Sequence, residues 1–214
     1  MKGMQSGFSL VEIAIVLLII GLLMGGALKG QEMISQARIR NIVNDLTGIA
    51  TALYAYQDRY RKLPGDDERA EGRWTAAATK QGDGNGVVGD SGNATAVDCA
   101  LAANAGSENC RFWQHLRLAG LLTGDAASLL PPTHAAGGHI HVQSGALGIA
   151  GLVVCADGLS GKLADAVDAQ IDDGKPGSGQ VRATTDASKL ATATDPTAAY
   201  VDDGATTYVL CRST

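Results

Sequence analysis

Apolar and polar positions alternate along the chain in three regimes, and the first is an almost unbroken apolar run. From Phe8 to Leu28 only Ser9 and Glu12 are neither apolar nor glycine, and Glu12 is the sole charge. At about 1.5 Å of rise per residue a helix of this length matches a bilayer core of about 30 Å. The second regime is a stripe. Ile39, Ile42, Leu46, Ile49, Leu53, Tyr56 and Tyr60 recur at alternating spacings of three and four, while Arg38, Arg40, Asn44, Asp45, Gln57, Asp58 and Arg59 occupy the other face. No proline interrupts the chain before Pro64. The pattern therefore predicts one helix over about 8–61, roughly 80 Å long by the same rise, apolar all round in 8–28 and amphipathic in 29–61. A two-stranded coiled coil is disfavoured because the stripe stops at LPGDD, Leu63–Asp67.

The third regime, 62–214, reads as a globular head. Pro64 and Gly65 end the helix and open a polar, irregular connection to about Glu108. FWQHLRLAGLL then predicts an amphipathic helix from Arg111 to Leu122, with Phe112, Trp113, Leu116 and Ala119 on one face. GHIHVQSG and GIAGLVVCADG read as strands joined by a tight glycine-containing turn, and QVRATT and TTYVLCRS as two more. Between the two pairs, SGKLADAVDAQIDDG reads as a short helix capped by Ser160 and ended by Gly174. The expected fold class is α+β: a long amino-terminal helix whose second half packs on a small antiparallel β-sheet.

Composition sharpens this picture in two respects. The formal charge of −5 does not favour nucleic acid by long-range attraction, which depends on clustered Lys and Arg, so no nucleic acid is expected as a partner. With 28 glycines and 4% aromatics the head has little bulk to pack, so cross-links matter. Four cysteines can pair in three ways. Local pairing is simplest, Cys99 with Cys110 around a polar loop and Cys155 with Cys211 at the ends of two Val/Leu-rich strands. Disulfides behind a membrane-targeting segment imply an oxidising compartment such as a bacterial periplasm or cell surface.

Glu12 is the residue a plain anchor leaves unexplained, since a carboxylate within a lipid-facing helix costs roughly 2.5 kcal/mol or more at depth. Before it stands MKGMQSG, a short polar leader whose boundary precedes the apolar run, unlike a secretory signal. Gly7, Phe8, Ser9, Leu10, Val11 and Glu12, followed by the apolar helix, resemble the type IV pilin and pseudopilin family. The resemblance implies that a prepilin peptidase cuts after Gly7, removing a leader of residues 1–7 and leaving Phe8 as the N-methylated amino terminus. Glu12 then stands at the fifth mature position and assembles the subunit with other pilin subunits through their helices. It also implies an inner-membrane precursor with a periplasmic head that later joins a filament, and the pilin fold. Major pilins usually have proline at the twenty-second mature position, where this chain has Lys29. A minor pilin or pseudopilin is thus the expectation.

Two further constellations invite chemistry. GDGNGVVGD alternates oxygen donors with glycines, so Asp83, Asn85, the Val87 carbonyl and Asp90 form a candidate Ca²⁺ loop, short of a full EF-hand. No other cofactor is expected. His139 and His141 would face one way on a strand with His134 upstream, which falls short of a zinc site. G-x-S-x-G, H-E-x-x-H and the phosphate-binding loop G-x-x-x-x-G-K-[ST] do not occur in the sequence, so an enzyme is not expected. A filament-tip adhesin is the main alternative, and a signal-anchored periplasmic enzyme the lesser one.

Overall fold

The computed structural model describes residues 9–75, 79–89, 99–101, 106–187, 190 and 199–214. Two units are distinguished, Met1–Arg38 and Ile39–Thr214. In the first, helix α1 (Leu10–Tyr60) begins, and none of that unit's described residues is buried. Exposed Leu, Ile, Val and Met side chains run from Leu10 to Ile34, and this stretch is long and apolar enough to cross a membrane.

In the second unit the rest of α1 meets the head. Ile42, Leu46 and Tyr56 are fully buried, and Ile39, Ile49 and Leu53 nearly so, so the stripe of three-and-four spacing is the helix face that forms the core. Tyr60 is half-buried. The helix stops one residue earlier than the sequence predicts. Arg61 takes a left-handed φ of 57° and closes the last turn with a 2.8 Å bond from its N–H to the Gln57 carbonyl.

Strands β1 (Ile140–Ala146), β2 (Ile149–Ser160), β3 (Val181–Thr184) and β4 (Thr207–Ser213) form one antiparallel sheet of order β1-β2-β4-β3. Register places Ile140 opposite Ala156 and Val142 opposite Val154, with Leu210 and Ala183 continuing the row. That face belongs to the same core as the α1 stripe and as Phe112, Trp113 and Leu116 of α3 (Glu108–Leu118). The opposite face carries Val153, Cys155, Val209 and Cys211 in a smaller cluster with Leu147 and Leu190. The period-two alternation thus serves two cores.

The β1–β2 turn consists of Leu147 and Gly148, both at positive φ (51° and 74°), the handedness a two-residue hairpin needs to match strand twist. Leu147 tolerates it because it is fully buried and held by hydrogen bonds from its N–H to Leu190 and from Arg182 to its carbonyl. Helix α4 (Gly161–Ile171) departs from expectation at its start. Ser160 has cap geometry but no side-chain capping bond; Asp202 Oδ1 instead accepts the Lys162 N–H at 3.4 Å. A residue forty positions away therefore does the work assigned to Ser160, with Gly161 fitting tightly beneath Val201. Helix α3 starts at Glu108 rather than Arg111 and ends at Leu118.

Both disulfides pair as expected, Cys99 with Cys110 and Cys155 with Cys211. The second joins residues directly opposite one another on adjacent strands, with Cα atoms 3.9 Å apart.

LPGDD is far from a solvated linker. Asp67 is fully buried and accepts hydrogen bonds from Tyr56 Oη at 2.7 Å and Arg73 Nη1 at 2.6 Å. Burial would raise its pKa, but the Arg73 and Tyr56 hydrogen bonds win and hold it below the usual range. Arg73, at the end of the short helix α2 (Ala70–Arg73), also lies 4.1 Å over the Tyr60 ring. His115 completes the anchor from α3. Its Nδ1 accepts the Gly65 N–H at 2.9 Å and its Nε2 faces the Lys80 carbonyl at 3.0 Å, so the neutral ring is a donor on one side and an acceptor on the other.

Burial pushes the His115 pKa down to about 4, overriding the pull of the Lys80 carbonyl and Asp67. As pH falls below 6.5, the ordinary histidine value, the unfolded chain takes up a proton that the folded chain refuses. Stability contributed above pH 6.5 is therefore lost between 6.5 and about 4, by roughly 3 kcal/mol in total. Urea midpoints measured from pH 7 to 4 should show this loss, and His115→Gln, which keeps one donor and one acceptor, should flatten it. The difference between the two proteins isolates the imidazole from nearby carboxylates. Parallel pH profiles would refute the assignment.

Candidate functional site

Gly7 and Phe8 lie outside the described residues. The described chain begins at Ser9, and there Ser9 and Glu12 grip each other. The Ser9 N–H donates to Glu12 Oε2 at 2.8 Å, and the Glu12 N–H donates to Ser9 Oγ at 3.2 Å. This is a capping box, in which two donors that a helix start leaves orphaned are satisfied reciprocally. A carboxylate in the first turn is further favoured by the helix dipole. The S-x-x-E spacing in GFSLVE signals it in the sequence, although the residue's position in the apolar run draws attention first.

Residues 2–28 match the family model for the prokaryotic N-terminal methylation motif. The chain carries a prepilin-type amino terminus. That motif implies processing by a peptidase and assembly with other pilin subunits, and it points to a structural protein. The long helix followed by a four-stranded antiparallel sheet is the pilin-like α+β layout. No curated protein and no solved structure is matched, so the head is read from its own geometry.

In the head, three of the four expected calcium residues are described, and they are hydrogen-bonded to one another. Asp83 Oδ1 and Oδ2 accept the backbone and side-chain N–H groups of Asn85, and Asn85 Oδ1 accepts the Val87 N–H at 2.7 Å. Asn85 thereby closes the loop's own turns. Asp90 lies outside the described residues. Asp83 meets two carboxylates that sequence spacing gave no reason to connect, Asp66 from LPGDD and Glu108 from the first turn of α3. One oxygen from each of the three lies within 4.8 Å of the others. The loop 82–89 wraps them: the Gly86 N–H donates to Asp66 Oδ2 at 2.9 Å, and the Asp83 N–H to Glu108 Oε1 at 3.0 Å. Gly84 stands at a φ of 74°, and a Cβ there would strike the Glu68 carboxylate.

Burial pushes the Asp66 and Glu108 pKa values up, and neighbouring carboxylates add to it, Asp83 for Asp66 and both Asp83 and Asp66 for Glu108. An open cleft of about 530 Å³ adjoins the group, lined by Gly82, Asp83, Asn85, Gly89, Glu108 and Arg111.

The histidines are accounted for by structure. His134 is buried, its Nε2 facing the Asp157 carbonyl at 2.8 Å and its Nδ1 accepting the Ala136 N–H at 3.2 Å. His141 Nε2 pairs with Asp157 Oδ2 at 2.8 Å, and Asp157 Oδ1 accepts the His139 N–H. Asp157 is the partner that sequence missed. Burial opposes its ionisation, yet these bonds keep its pKa below the usual range.

Proposed function

We propose that the chain is a minor pilin or pseudopilin, a structural subunit of a type IV pilus-like or type II secretion filament. It is made as a precursor held in the inner membrane by α1, with its head in the periplasm, and is cut after Gly7 by prepilin peptidase. It then enters the filament through α1. The observation that carries this reading is Glu12, a lone charge in the first turn of an exposed apolar helix inside a matched methylation motif. In the filament Glu12 would pair with the Phe8 amine of a neighbour, a contact valued for register more than for net stability. Lys29 supports a minor role. It stands where major pilins have proline and pairs with Glu32 at 2.8 Å on the exposed helix surface, where its long stem suits a membrane interface.

Mass spectrometry of sheared filaments and membranes tests this directly. The mature chain should begin at Phe8, carry an N-methyl group, and occur in filaments at far lower abundance than the major subunit. Replacing Gly7 with a bulky residue should leave the full-length precursor in the membrane. A mature chain starting after Gly25–Ala27, or one absent from filaments, would sink the proposal.

A further inference from the structure

The Asp66, Asp83 and Glu108 carboxylates come from three separate segments: the turn after α1, the glycine loop and the start of α3. Asp66 is only 2% exposed, and no N–H or hydroxyl group donates to its Oδ1; its neighbour is the Asp83 carboxyl, itself an acceptor when ionised. A buried acceptor without a donor is costly, and three like charges this close repel one another. Both costs disappear together if a cation sits among them. A second acidic group offers a contrast. Asp168, Asp172 and Asp173 also lie within 4.8 Å, but their oxygens accept from Tyr200 and Gly174, from Gln180 and Val181, and from Lys175 and Ser178. That group leaves no buried oxygen without a donor, whereas the first leaves Asp66 Oδ1.

We propose that Asp66, Asp83 and Glu108 bind one Ca²⁺ ion. This keeps Asp83 from the ligand set the sequence suggested and joins it to Asp66 and Glu108. Oxygens on opposite sides of a Ca²⁺ with 2.3–2.6 Å bonds are about 4.6–5.2 Å apart, so donors within 4.8 Å of one another fit around one ion. All donors are hard carboxylate oxygens, which excludes a zinc preference. An irregular glycine loop suits the larger and less directional Ca²⁺ better than octahedral Mg²⁺, and the adjoining cleft admits the waters that would complete six to eight ligands. Arg111 lines that cleft, but its Nη1 is held by the Gln81 carbonyl at 2.5 Å. The ion would tie the end of α1, the loop and α3 together beside the Cys99–Cys110 bridge.

The test uses the full chain in detergent, stripped with EGTA. Calorimetric titration with CaCl₂ should give one site per chain, and Ca²⁺ at a hundredfold over Kd should raise the melting temperature by about 5 °C or more. Asp66→Asn and Glu108→Gln should each weaken binding at least tenfold. Asp83→Asn, at an exposed position, leaves the core untouched and decides the matter should the buried variants fail to fold. In EGTA it should melt close to the parent, because the repulsion it removes offsets the exposed Asn85 side-chain hydrogen bond it gives up. Asp173→Asn should bind normally. The proposal is overturned by absence of a Ca²⁺-dependent shift, by an equal shift in Asp83→Asn, or by a shift with MgCl₂ that CaCl₂ does not produce.

Discussion

Glu12→Leu protein should be cleaved and retained in the membrane yet depleted at least tenfold from sheared filaments, as read by quantitative immunoblotting. For a lone anchor the carboxylate is only a penalty, so leucine there would keep or improve retention and change nothing else. For a filament subunit the same change removes the attraction to a neighbour's amine, and a tenfold loss corresponds to about 1.4 kcal/mol. The capping box adds a control. Leucine also deletes the acceptor of the Ser9 N–H, so a frayed helix start could mimic an assembly defect. Glu12→Gln keeps an oxygen for that N–H and loses only the charge. Depletion of both variants assigns the effect to the ion pair, and normal incorporation of the Gln variant would assign it to the cap and end the pairing model.

Removing the Cys155–Cys211 bridge should have the largest effect on stability. The bond closes a loop of sequence separation 56 that contains α4 and β3, and chain-entropy reasoning gives about 4 kcal/mol for such a loop. Both sulfurs are fully buried in the smaller cluster with Val153 and Val209, so truncation also forfeits packing. Cys155→Ala with Cys211→Ala should lower the melting temperature of the full chain in detergent by about 8–16 °C. The Cys99–Cys110 pair, with a sequence separation of 11, should cost less, about 3 kcal/mol. A smaller loss from the 155–211 pair than from the 99–110 pair would show that loop length does not govern the effect.

Much of this was legible because it is periodic or local. The α1 stripe from Ile39 to Tyr56 announces its buried face by spacing alone, and Phe112, Trp113 and Leu116 do so for α3. The β1–β2 hairpin and the disulfides follow from apolar runs bounded by glycine and cysteine. What stayed hidden depends on contacts across the chain. Asp66 and Glu108 read as ordinary solvated carboxylates, because nothing in a sequence tells an acid on a surface from one folded against another 42 positions away. His115 likewise looks like the polar side of an amphipathic helix, yet it carries the hydrogen bonds that pin Gly65 and Lys80. Asp202 supplanted Ser160 as the cap of α4 for the same reason.

The place of β4 has a consequence for biogenesis. It is the last strand in the sequence but an inner one in the sheet, hydrogen-bonded to β2 on one side and β3 on the other. The sheet cannot close strand by strand as the polypeptide emerges; β2 and β3 must wait until Thr207–Ser213 has arrived. The cysteines meet no such conflict, because they pair consecutively, first with second and third with fourth. In the oxidising compartment proposed above, an oxidase acting on thiols in order of emergence would make Cys99–Cys110 first and leave Cys155 waiting for the partner that arrives with β4. Native connectivity then needs no isomerase, and locking of the sheet coincides with delivery of its final strand.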